Sequence, residues 1–137
     1  MVRKNRQNNR AFKNTMKEKK ETYTFVEAFN KVDELRAIEN TSMSDYVIKM
    51  QEEVGEIAES HLMITGYKPM KNPVSKNKAT QINHEKEHLA EEAVDSIIVG
   101  MAILSANGTS QQKIEELLKQ KIDKWVSKLV VKKKIKK

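Results

Sequence analysis

Cysteine is missing altogether from the chain, and other residue types are scarce: two prolines, four glycines and 5% aromatics among 137 residues. Without Cys there is no disulfide, no Cys-ligated zinc, no iron–sulfur cluster and no thiol nucleophile, and the redox compartment is left open. So little Pro and Gly excludes a loop-rich β protein and a low-complexity chain. No apolar run approaches the length of a membrane span, and the N-terminus lacks the apolar block of a secretory signal. These absences lead us to expect a small soluble protein of the cytoplasm, with no membrane partner. Its length suits one domain with a single modest core.

What the chain has in quantity is charge: 33% of its residues, with a formal net charge of +7. The excess is confined to the ends. Residues 1–20 carry eight Lys or Arg against one acid, and residues 128–137 carry six lysines and no acid. The stretch between holds twelve basic and eighteen acidic residues. An acidic body therefore lies between two basic ends, and the carboxylates of that body need a reason.

The patterning divides the chain into a basic flexible arm over 1–22, an all-α domain over 23–128 and a basic C-terminal tail over 129–137. Thr24 and Glu27 form a capping box ahead of Phe25, Phe29, Val32 and Leu35, a first helix ending near Asn40. Ser42 and Asp45 open a second helix with the stripe Val47, Met50, Val54, Ile57, Ala58 and His61, stopped by Gly66. A long connection over 65–84 follows, containing Pro69, Pro73 and the aromatic Tyr67. The spacing of Leu89, Ala90, Ala93, Val94, Ile97, Met101 and Leu104 predicts a third helix from about Asn83 to Ala106. Asn107-Gly108 ends it. Thr109 and Gln112 read as the box of a fourth helix, with Ile114, Leu117, Leu118, Ile122, Trp125 and Leu129 inward and Trp125 as a core anchor. Nothing alternates with period two for long enough to make a strand. The expected fold is an all-α four-helix bundle.

Two pairs of acids stand out, Glu53 with Glu56 on the second helix and Glu92 with Asp95 on the third. Residues three apart are neighbours on a helix surface, and like charges there destabilise it. If the two helices pack antiparallel, the pairs can supply four carboxylates to one point, a donor set suited to a hard cation such as Mg²⁺ or Mn²⁺. Relative to the apolar stripes, Glu53 and Glu56 lie to one flank, whereas Glu92 and Asp95 lie largely opposite. Gly55 interrupts the second helix at a cost of about 1 kcal/mol relative to Ala, either for a close approach or as a packing glycine. Ser60 shares the flank of Glu53 and Glu56.

The segments Glu52-Glu53-Val54-Gly55-Glu56-Ile57-Ala58-Glu59 and Leu89-Ala90-Glu91-Glu92-Ala93-Val94-Asp95-Ser96-Ile97-Ile98 resemble the MazG-like all-α nucleoside triphosphate pyrophosphohydrolases. Lys121-Ile122-Asp123-Lys124 is similar to a pattern on that family's last helix. The resemblance spans about residues 23–128. The chain departs from the family pattern in its longer connection between the paired acids, in Trp125 where Asn is usual, and in Lys128 where Arg is frequent. The resemblance implies Mg²⁺-dependent cleavage of (d)NTP to (d)NMP and pyrophosphate. It also implies Glu53, Glu56, Glu92 and Asp95 as metal ligands, Glu52 as the residue taking the water's proton, and Lys121 and Lys124 on the phosphates. A homodimer or homotetramer is implied with them.

Two other readings compete. His84-Glu85-Lys86-Glu87-His88 matches the His-Glu-x-x-His signature of zinc metalloproteases, here at a helix start and without a strand to align a peptide. The basic ends could instead make this a non-catalytic helical protein that attracts nucleic acid through salt-dependent phosphate contacts.

Overall fold

The computed structural model describes residues 22–71 and 73–135, and the side chains among them as far as Leu129. The expected arm over 1–22 falls almost wholly outside the described residues, as does the far end of the expected tail. Four helices and no strand are found among the described residues: α1 (Phe25–Glu39), α2 (Met43–Thr65), α3 (Lys78–Ala106) and α4 (Gln111–Ile135). No helix among these residues is long and apolar enough to cross a membrane.

Local chemistry sets most of the helix ends. Thr24 Oγ1 accepts from the Glu27 backbone N–H at 3.3 Å, and Glu27 Oε2 accepts from the Thr24 N–H at 2.9 Å. Ser42 and Asp45 repeat the reciprocal box at the start of α2, satisfying donors that a bare helix start would leave orphaned. Gly66 closes α2 in the left-handed region at φ 81°, where a Cβ would be strained.

Three boundaries differ from expectation. The third helix begins at Lys78, so the connection shrinks to 66–77; Asn77 Oδ1 caps it by accepting from the Ala79 N–H at 2.9 Å and the Thr80 N–H at 3.4 Å. Residues 78–82 carry no apolar stripe, and the cap alone marks the start. At α4 the Ser110 hydroxyl accepts from the Lys113 N–H at 3.3 Å, placing the cap one residue past Thr109. The fourth helix also runs on to Ile135, through most of the stretch expected as a tail.

The chain divides into two compact units, one ending at Asn107 and one beginning at Gly108. In the first, α3 packs along α2, and α1 packs against α3. Phe29, Tyr46, Met63, Met101 and Ala102 are its buried apolar residues. A polar knot joins α1 to α3: Arg36 Nε donates to Ser105 Oγ at 2.6 Å, and Ser105 Oγ donates to Asp33 Oδ1. The connection folds back on α2, where Glu59 receives both Lys68 Nζ and, at 2.6 Å, Lys71 Nζ. These two lysines hold the Glu59 carboxyl down at about 2, Lys68 having the larger effect.

The second unit is α4. Ile114 is buried, but Trp125 is 68% exposed, which corrects its expected place as a core anchor. The stripes of α2 and α3 also need correction. Val47, Val54, Val94 and Ile97, expected inside, are each about half exposed.

Candidate metal centre

The residues that α3 buries are, in large part, polar. Glu85 and Glu92 are each 9% exposed, and Glu53 on α2 is 3% exposed. Carboxylates are almost never so deeply buried without a partner. Glu53, Glu56 and Glu92 each offer an oxygen to one place, all within 4.8 Å of one another. Among the described residues, no other group of three acid or histidine side chains converges so closely.

The three carboxylates do not share one electrostatic state. Lys49, one turn before Glu53, reaches it at 2.8 Å and Glu52 at 3.1 Å. That hydrogen bond holds the Glu53 carboxyl below its ordinary value despite burial, and the same two acids raise Lys49. Glu92 has no lysine. Burial, followed by the proximity of Glu56 and Glu53, pushes it up to about 7. Two crowded carboxylates cannot both ionise cheaply in a low-dielectric site, so one keeps its proton until a cation arrives. An all-oxygen donor set, mostly buried and short of positive charge, fits a hard divalent cation.

The remaining expected residues are not members of this group. Asp95 follows Glu92 by one turn of α3; it is exposed, outside the triad, and lines a shallow groove with Ala90, Glu91 and Val94. Glu52 is exposed and paired with Lys49. Lys121 and Lys124 are exposed on α4. A side chain at Gly55 would find its Cβ in open space, so no close approach to other parts of the described chain requires the glycine. His61 and Tyr67 are exposed, Tyr67 at 86%.

Sequence reasoning puts Ser60 on the flank of Glu53 and Glu56 and reads His88 as part of a zinc signature, but does not join the two to each other or to Glu92. Ser60, 1% exposed, places Oγ 3.0 Å from His88 Nδ1, and His88 Nε2 lies 3.2 Å from Glu92 Oε1. Both nitrogens of His88 are thereby engaged. His84, Glu85 and His88 line a cavity of about 240 Å³ beside the triad, together with Glu56, Glu59, Ser60, Met63 and Lys71. They do not themselves converge as a three-ligand group. A second hollow, of about 180 Å³, lies between α1, α2 and α3, lined by Val32, Leu35, Arg36, Tyr46, Lys49, Ile98 and others.

Comparison with family models, with curated proteins and with solved structures returned no match for this chain.

Proposed function

We propose that the chain is a Mg²⁺-dependent nucleoside triphosphate pyrophosphohydrolase, an all-α hydrolase of the MazG-like type converting (d)NTP to (d)NMP and pyrophosphate. The observation that carries this reading is the convergence of Glu53, Glu56 and Glu92, three of the four acids in the paired motif, where Glu53 and Glu92 are buried and Glu56 half-buried. Glu53, Glu56 and Glu92 would hold Mg²⁺, with Asp95, exposed one turn farther along α3, as the motif's fourth ligand and Mn²⁺ as a substitute ion; the bound ion would supply charge neutralisation at the phosphates and a polarised water.

The chain's own groups do the rest. Lys49 keeps Glu53 ionised and ready to act as a ligand. Glu92 releases its proton when positive charge enters the site. Glu52, exposed beside the centre and paired to Lys49, accepts the proton of the attacking water. The water oxygen bonds to the α-phosphorus as the bond from that phosphorus to the bridging oxygen breaks, and pyrophosphate leaves with the electron pair. For the phosphate oxygens the family resemblance supplies Lys121 and Lys124 as candidates. The half-exposed Val47, Val54, Val94 and Ile97 support assembly as a homodimer or homotetramer, since apolar surface of this kind commonly marks an interface.

The test is pyrophosphate release from a panel of ribo- and deoxyribonucleoside triphosphates, with Mg²⁺ and with chelator. Monophosphate and pyrophosphate that vanish with chelator are expected. Glu53→Gln and Asp95→Asn should each abolish turnover with helicity by circular dichroism unchanged. Folded protein that cleaves no nucleotide would end this reading and favour nucleic-acid binding through the basic ends.

A further inference from the structure

Ser60 and His88 come from different helices, twenty-eight positions apart, yet their polar atoms meet at 3.0 Å. Ser60 is the most deeply buried of the polar residues in the unit, and a buried hydroxyl needs a partner. His88 occupies the turn of α3 directly before Glu92 and reaches Oε1 of that carboxylate with its other nitrogen.

The donors and acceptors can be assigned from chemistry. With a cation in the site Glu92 is ionised and only accepts hydrogen bonds, so in that state His88 Nε2 carries the proton that faces Glu92. In a neutral imidazole the second nitrogen, Nδ1, then has a lone pair and accepts. The Ser60 hydroxyl is the group placed to donate to it. Ser60 thus selects the tautomer of His88, and the tautomer sets a protonated Nε2 3.2 Å from one oxygen of Glu92.

We propose that Ser60 and His88 are positioning residues that tie back one oxygen of Glu92 and leave the other for a divalent cation. The inference rests on Glu92 being a metal ligand, as in the proposed function, and adds how that ligand is held. A carboxylate restrained in this way has lost its rotamer freedom before the ion binds, so less order remains to be imposed.

The experiment is calorimetric titration of the full chain with Mn²⁺ alone, for the wild type and for Ser60→Ala, His88→Ala and His88→Gln. Loss of a hydrogen-bonding group behind a ligand commonly weakens metal binding by about 10–100-fold, the range expected for His88→Ala. Ser60→Ala should cost about fivefold, the worth of one hydrogen bond. His88→Gln, whose amide N–H can stand in for Nε2–H, should recover most of the affinity. A ring ¹⁵N spectrum of the protein with Mg²⁺ bound should show the Nε2–H tautomer of His88 in the wild type and a mixture in Ser60→Ala. Unchanged Mn²⁺ affinity in His88→Ala, or in Ser60→Ala should the former not fold, overturns the relay and leaves the metal centre standing. A wild type that binds no Mn²⁺ overturns the metal centre first, and the relay with it.

Discussion

The α2–α3 pair is built differently at its two ends. Beside α1 it buries Tyr46, Met101 and Ala102, and it is fastened to α1 through Ser105, Arg36 and Asp33. Farther along, the same two helices bury Glu53, Glu92 and Ser60 against His88 and Glu56. The first end is the kind of surface that stabilises a fold, because apolar area leaves water. The second places carboxylates where each raises the cost of its neighbour's charge. A fold selected for stability alone would not gather them. The contrast separates the part of the helix pair that holds the protein together from the part that would carry the proposed chemistry.

The strongest way to break that contrast is to truncate one end and neutralise the other. Met101→Ala should lower unfolding free energy by about 2–5 kcal/mol, read by denaturant titration, while the remaining folded protein keeps its turnover. Glu92→Gln should do the reverse in metal-free protein, raising the melting temperature and removing turnover. A destabilised Glu92→Gln would mean that the acidic end contributes to the fold after all.

A weaker effect of the same kind is expected with pH. Glu92 is raised from 4.5 to about 7, so the folded state holds this proton more tightly than the unfolded chain. Its stabilising contribution is fully present below pH 4.5 and is lost as pH rises through about 7. Glu59 is lowered from 4.5 to about 2 and has the opposite sign, contributing above pH 4.5 and failing as pH falls toward 2. Thermal melts of metal-free protein should therefore decline from pH 5 toward neutrality, and Glu92→Gln should flatten that decline. Glu59→Gln should flatten only the acid side. The smallest expected effect is at Gly55, where Gly55→Ala in open space should stabilise α2 by up to about 1 kcal/mol. Turnover lost in that variant would show that a ligand or a second subunit needs the missing side chain.

What could be read in the sequence was what is local. The boxes Thr24 with Glu27 and Ser42 with Asp45, and the stop at Gly66, are decided within a few residues, and the structure has them where expected. The start of α3 was obscured because Asn77 caps a turn with no apolar periodicity. The spacing of Glu53, Glu56 and Glu92 marked them as candidates. Their burial could not be read, since the apolar stripe of α3 pointed to Val94 and Ile97 as the inner face. Periodicity shows that a helix has an apolar side; it does not say whether that side meets its own chain or another. The Ser60–His88 contact joins two helices and has no trace in spacing at all.

The knot of Arg36, Ser105 and Asp33 also has a kinetic consequence. Helix α1 packs against α3 less extensively than α2 and α3 pack along each other, and this polar junction ties it there. Such an element can detach by itself, at a fraction of the free energy needed to part α2 from α3. Backbone amides of α1 should then exchange with deuterium through brief local opening, and those in the middle of α2 and α3 only when the whole unit unfolds. Each opening would uncover the hollow that Val32, Leu35 and Tyr46 line, so its rate would bound how fast anything lodged there can enter or leave.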